Sequence, residues 1–328
     1  MANETVRNAL ATWQAVFHGD TRRRLEAVSF PAYLMKQRWF ARKSYQIKSA
    51  RIVDWTPFQA PHSALAWVEV QLESGPSEVY FVPLGMTFGD DARQLERTTP
   101  NAIIAPLEAG QAPGVLHDGT LDDQTCSELL SFIEDARDLQ TQHAHIRGIR
   151  GKAFQEVRGT AGKALPVRRG SAEQSNTSIL YGDRLILKIF RHQQPGLNPD
   201  AEIGRYLTER VGFQRIPPFA GSIEYEAESN SANLAILQGL VANEGDGWQW
   251  TMSEFSRYFQ GSAELPFPQS ARSKLADPVE TGGRAVSSLA RNRLGAYLDS
   301  AARLGFVPPN CTWHWLLVRV IRPLRLSL

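Results

Sequence analysis

Lys188 has the clearest claim to chemistry in this 328-residue chain. It stands in Leu185-Ile186-Leu187-Lys188-Ile189-Phe190, a run that reads as a strand. On a strand, Lys188 shares one face with Ile186 and Phe190, while Leu185, Leu187 and Ile189 line the other. An ammonium among apolar neighbours on a central strand is costly unless it meets an anion. A bound phosphate and a carboxylate from the following helix would provide that, and Glu202 is placed to be the carboxylate. The competing reading is an edge lysine whose head reaches water along its own stem; spacing alone supports the two equally. Upstream, the polar loop 172–177 sits where a phosphate-covering loop would lie. It is not Gly-rich, but Ser175, Asn176 and Thr177 could donate hydrogen bonds to phosphate oxygens. Such residues also populate any turn.

The elements that must position these residues are set by periodicity. Residues 164–167 and 177–181 read as strands. Gly182-Asp183 reads as a two-residue hairpin turn into the Lys188 strand. Asn198 can cap, and Pro199 can open, a helix reaching about residue 210 with Glu202 in its first turn. Strands come next at 220–225 and 234–240. The order is strand, polar loop, strand, turn, strand with lysine, helix with glutamate, then two strands. That is the layout of a protein-kinase-like N-lobe, in which such a lysine–glutamate pair orients phosphates. The predicted class is α+β, an antiparallel sheet plus helix preceded by a β-rich cap subdomain.

Upstream of that lobe, Val6, Leu10, Trp13 and Phe17 predict an amphipathic helical segment within 1–28. The tripeptide His18-Gly19-Asp20 precedes any nucleotide-binding hairpin, so it reads as a helix-ending glycine and turn. Residues 47–53, 64–72 and 79–84 read as strands, the last two joined by the hairpin loop 73–77, and loops near 106–120 close this β-rich unit. Residues 121–140 read as a helix.

The segment EQSNTSILYGDRLILKIFRHQQPGLNPDAEIGRYLTER, residues 173–210, resembles the nucleotide-binding segment of bacterial maltokinases, whether free-standing or fused to a trehalose synthase. Arg38-Trp39-Phe40 resembles the start of their N-terminal cap, and residues 217–225 and 234–250 continue the likeness. The resemblance covers roughly 28–305. It implies a fold similar to aminoglycoside phosphotransferases and transfer of the ATP γ-phosphoryl to the anomeric hydroxyl of maltose, giving maltose 1-phosphate for α-glucan synthesis. It implies ATP and Mg2+ as cofactors, maltose as a partner and trehalose synthase as a candidate partner. Ser175, Asn176 and Thr177 match phosphate-loop positions, Lys188 the strand lysine and Glu202 its partner. Gln238, Gly239, Leu240 and Val241 fall at the hinge, where backbone groups would meet adenine. Trp248 and Trp250 come just after it, more in keeping with a core than with sugar stacking. The implied divisions are 1–28, a cap at 29–120, the nucleotide-binding lobe at 121–245 and the start of a C-lobe at 246–305. Two other readings stand beside it: the same fold acting on another hydroxyl acceptor, and a non-catalytic nucleotide-binding module.

The resemblance departs after residue 250, where no catalytic-loop or metal-ligand pattern is found. The expectation is a chain without a complete C-lobe, inactive alone, with no catalytic residues or metal ligands of its own. After Gly305 the family continues Arg-Thr-Ala-Glu-Leu-His-Leu-Ala-Leu, whereas this chain continues Phe306-Val307-Pro308-Pro309-Asn310-Cys311. A shift of reading frame permits the family motif. It is forced where Asn310-Cys311 yields Leu, Trp313-His314 yields Ala and His314-Trp315 yields Leu. Residues 306–328 are therefore expected to be an out-of-frame tail.

Composition narrows the partners. Lys plus Arg total 36 against 34 Asp plus Glu, a net charge of +2. That argues against a nucleic-acid partner, which needs a concentrated basic face. Arg22-Arg23-Arg24 reads as the solvated side of a helix. Two distant cysteines, Cys126 and Cys311, suit neither a disulfide framework nor a zinc site, and His143 and His145 lack a third ligand. With no apolar signal region and no membrane-length apolar run, the chain is expected in the cytoplasm.

Overall fold

The computed structural model describes residues 12–60, 62–109, 112–160, 162–170, 176–228, 230–242, 247–262, 294–300 and 302. The chain divides into two compact units, Met1–Val241 and Ala242–Leu328.

The described residues of the first unit begin with helices α1, Trp13–Val16, α2, Gly19–Arg24, and α3, Phe30–Lys36, the last two joined through a π-turn at Leu25–Ser29. The expected helical segment is divided at Gly19, φ +58°, and a further helix, not a turn, begins after His18. Arg23 and Arg24 are exposed, but Arg22 bonds Glu26 and the Ile52 carbonyl, tying the helix to a strand.

A six-stranded antiparallel sheet comes next. Its strands are β1, Ile47–Pro57, β2, Ser63–Leu72, and β3, Glu78–Phe88; then, after helix α4, Gly89–Thr98, come β4, Ile103–Ala109, and β5, Ala112–Asp118. The order is β1-β2-β3-β5-β4, with a sixth strand added from later in the chain. The last two strands replace the loops expected near 106–120; prolines at 106 and 113 disguise them. Both sheet faces are covered. Ala64, Ala66, Val68 and Val70 of β2 pack with Tyr80, Val82 and Leu84 of β3 against Phe17, Phe30 and Leu34 of the helical segment. Leu65, Trp67 and Phe81 point the other way, into a second core. Two buried faces explain why these strands read as almost unbroken apolar runs instead of alternating.

The second core is completed by α5, Asp123–Glu134, and by a seven-stranded antiparallel sheet. Its strands are β6, Asp138–Gln140, β7, His145–Arg150, and, beyond the short helix α6, Phe154–Arg158, β8, Val167–Arg169, β9, Asn176–Tyr181, and β10, Leu185–Phe190. Strand β11, His192–Gln193, leaves for the first sheet, where it pairs with Tyr80 and Val79 of β3. Helix α7, Pro199–Tyr206, precedes β12, Phe219–Ala227, and β13, Asn230–Gly239. The order is β6-β7-β12-β13-β10-β9-β8. Helix α5 ends at Glu134, short of the expected 140, since Ala136 turns at φ +49° and the chain enters β6. The α+β reading, a sheet plus helix behind a β-rich cap, is the fold observed.

The second unit contains α8, Gly247–Ser262, and a helical stretch at 294–300. Trp250 stacks on Tyr297 at 5.7 Å, whereas Trp248 is 73% exposed, so a core role does not describe it. No described helix is long and apolar enough to cross a membrane. Cys311 and the expected tail at 306–328 lie outside the described residues.

Candidate functional site

Lys188 lies on an interior strand. β10 bonds β9 on one side and β13 on the other, with Lys188 facing Ser178 and Ile236 in register. The edge-strand reading is thereby removed. Leu185, Leu187 and Ile189 are fully buried in the second core, while Ile186 and Lys188 on the opposite face are half-buried. The turn before β10 is one residue longer than expected, because Tyr181 pairs with Leu185 around Gly182 at φ +59°.

Helix α7 is held over the Lys188 face. Its Ala201 packs with Phe190 of β10 and Ile236 of β13 in a small separate cluster. The helix starts where the sequence predicts, with Asn198 Oδ1 accepting from the Asp200 N–H at 2.9 Å. It turns through a π-turn at Leu207–Val211 and ends at Gly212, φ +70°. Glu202 sits half-buried in the first turn, next to the contact residue Ala201. Gly204 approaches the Gln238 side chain.

The phosphate-loop candidates separate. Ser175 lies outside the described residues. Asn176 pairs with Phe190 and so shares the Lys188 face, but Thr177 pairs with Ile189 and lies on the opposite one. There the Thr177 hydroxyl accepts from Arg191 Nε at 2.8 Å. A residue not singled out by sequence occupies the better position. Ser178 is in register with Lys188 and 4% exposed, and its Oγ has no hydrogen-bond partner among the described residues. A buried unsatisfied hydroxyl costs about 1–3 kcal/mol, so it marks a place where a polar group belongs. The strand alternation could have exposed it, had both faces of 176–181 been read against Lys188.

At the hinge, the Gly239 N–H donates to the Pro218 carbonyl at 2.9 Å, and the Leu240 N–H to the Arg184 carbonyl at 2.7 Å. These two donors are already engaged within the fold. Gln238 and Leu240 are half-buried, Gly239 is buried and Val241 is 54% exposed.

Behind the site lies a buried polar junction that sequence reasoning missed. Arg191, three residues beyond Lys188, is 1% exposed and donates to both Asp118 carboxylate oxygens at 2.8 and 3.1 Å. Asp118 also accepts from Tyr33 at 2.6 Å and from the backbone and hydroxyl of Thr120. Arg191 lies over the Trp39 ring at 5.1 Å. Burial opposes ionisation of Asp118, yet the Arg191 charge and the Tyr33 and Thr120 hydrogen bonds outweigh it and hold the carboxyl below its ordinary value. Burial, then Asp118, pushes the Tyr33 phenol up. A second junction joins Asp54 of β1 to Thr141, Gln142 and Tyr225. Cys126 is buried, and desolvation raises its thiol to about 12, so it is no nucleophile. His143 and His145 are exposed on either side of buried Ala144. Among the described residues no cluster of three or more acidic, His or Cys ligands forms.

The fold is α+β, with Lys188 half-buried on the sheet face that α7 covers. Residues 33–122 match the family described as the maltokinase N-terminal cap domain. This is the first sheet with the last of its covering helices. Among solved structures, a glucosamine kinase in complex with glucosamine, ADP and inorganic phosphate aligns over 76% of this chain and 47% of its own, at 16% identity and TM-score 0.41. A second glucosamine kinase structure, crystal form A, aligns over 76% and 48%, at 16% identity and TM-score 0.40. The chain spans about half the length of those kinases.

Proposed function

We propose that this chain carries the cap and nucleotide-binding lobe of a maltokinase-type sugar kinase, in which ATP phosphorylates maltose at its anomeric hydroxyl to give maltose 1-phosphate. The observation that carries the reading is Lys188, half-buried on an interior strand beneath the helix that bears Glu202. The maltokinase cap match supports the choice of acceptor class.

In this reading Lys188 binds the ATP phosphates and Glu202 orients its ammonium. Ser178 and Asn176 donate to phosphate oxygens from the same face, and Ser175, adjacent in sequence, is assigned the same role. Thr177 acts from behind, as a bracket between Arg191 and the strand. Gln238, Gly239, Leu240 and Val241 border the adenine. Mg2+ would neutralise phosphate charge when bound. The product would feed α-glucan synthesis in the cytoplasm, and a trehalose synthase would supply or accompany the enzyme.

The test is calorimetric titration of the full chain with ATP, with and without Mg2+, against Lys188→Ala. Losing a charged hydrogen bond of about 1.5–3 kcal/mol weakens binding roughly 10- to 150-fold. Equal affinity in both proteins defeats the site assignment. Transfer of labelled phosphate from ATP to maltose, but not to glucosamine or an aminoglycoside, tests the acceptor.

A further inference from the structure

A cavity of about 340 Å³ lies between the loop that follows α6 and the turn that joins β9 to β10, wholly within the first unit. Arg184 in its wall stands four residues before Lys188, roughly 13 Å away along an extended chain. Among the described residues the wall gathers four cationic side chains, Arg158, Lys163, Arg168 and Arg184, against one carboxylate, Asp183. Apart from the Thr160 hydroxyl, the rest of it is small or apolar.

Two of the cations build the wall. Arg158 is 5% exposed and pairs with Glu134 at 3.3 Å. It also donates to the Thr160 and Lys163 carbonyls at 3.3 and 2.9 Å, which pins the loop that carries Lys163. Arg168 donates to the Gly182 carbonyl at 2.7 Å, and the Gly182 N–H donates to the Pro166 carbonyl at 2.8 Å, which pins the turn that carries Arg184. The other two cations are left over. Lys163 and Arg184 are exposed, and neither side chain has a hydrogen-bond or ion-pair partner among the described residues. The Arg184 guanidinium lies across Gly159, where a Cβ would fall 2.9 Å from its Cζ. A side chain at Gly159 would close the space that the guanidinium uses.

Uncommitted cations on pinned supports, gathered around a concavity, focus a positive potential that draws an anion. The same charges exclude a metal cation, and the carbonyls of Thr160, Lys163, Pro166 and Gly182 already accept from other donors. Nucleic acid needs an extended basic face, whereas these charges converge on a space at the small end of the roughly 300–1,000 Å³ of ligand sites. A phosphoryl group fits the pair best. The guanidinium fork meets two of its oxygens, and an ammonium meets a third as a point charge.

We propose that this cavity binds a small phosphate-bearing molecule through Arg184 and Lys163, at a site separate from the nucleotide face. The inference does not rest on Lys188, so the test uses the full chain carrying Lys188→Ala, titrated with pyrophosphate by calorimetry. Saturable binding of one pyrophosphate per chain is expected. Adding Arg184→Gln or Lys163→Gln is expected to weaken it roughly three- to ten-fold, and the two together to weaken it further. Both positions are exposed, so the Tm without ligand should stay in place, which separates lost binding from a lost fold. In the chain that keeps Lys188, the same two substitutions are expected to leave ATP affinity unchanged; an equal loss there assigns the cavity to ATP and overturns the separate site. Absence of saturable pyrophosphate binding overturns the proposal, as does binding that ignores both substitutions. Binding of a poly-glutamate peptide with no response to pyrophosphate also overturns it, in favour of an acidic protein segment.

Discussion

Replacing Asp118 by Ala takes the counter-charge from a guanidinium that is 1% exposed and 2.8 Å from its partner. It also strands the Tyr33 hydroxyl and the Thr120 backbone N–H, both of which donate to that carboxylate. Removing one member of such a buried pair costs about 3–5 kcal/mol, against about 0–1 for an exposed pair. In a unit of this size that lowers Tm by roughly 10 °C. Arg191→Met is expected to cost a similar amount, but with opposite pH behaviour. Asp118 then sits buried without its cation, so its folded pKa rises above the unfolded value. The stability it retains is present at low pH and is lost as pH rises through the folded pKa. The pair Asp118→Leu with Arg191→Met should lose less than the sum of the singles, because no charge is left buried. Urea unfolding monitored by circular dichroism measures each of these proteins. Single variants within about 1 kcal/mol of wild type, or strictly additive losses, refute the account.

Two further outcomes are expected. The folded pKa values of Asp118 and His117 are both depressed, His117 because burial disfavours its cation. The unfolded chain therefore binds more protons, and stability is predicted to fall as pH drops below about 6.5 for His117, then further below the ordinary carboxylate range for Asp118; a thermal-melt series over pH that stays flat there contradicts this. Gly148→Ala would place a Cβ 2.1 Å from the Phe132 carbonyl oxygen, which is backbone and cannot give way. A loss of about 1–3 kcal/mol, read by denaturant midpoint, is expected.

Much of the frame was legible because strand periodicity and capping chemistry are local. The Lys188 strand alternates, Asn198 and Pro199 announce their helix, and Glu202 falls in its first turn. The missing pieces depend on what lies on the far side of an element. Strands β4 and β5 carry prolines at 106 and 113 and read as loops, yet pair along their length. Thr177 reads as a phosphate ligand by position, but the register turns it toward Arg191. Ser178 signals itself only through a hydroxyl without a partner among the described residues, which no spacing rule can reveal. The buried Arg191–Asp118 pair joins residues 73 positions apart.

The short strand His192–Gln193 begins two residues after Phe190 closes the lysine strand, and it belongs to the other sheet. Lys188 is therefore anchored at one end by its own sheet and at the other by the cap. A protein pared down to the seven-stranded sheet and its helices would lose the footing of that strand, and with it the Asp118 and Trp39 partners that hold the buried arginine bracketing Thr177. The first sheet is less an accessory than the rear wall of the frame, and the two sheets are expected to unfold as a single cooperative piece.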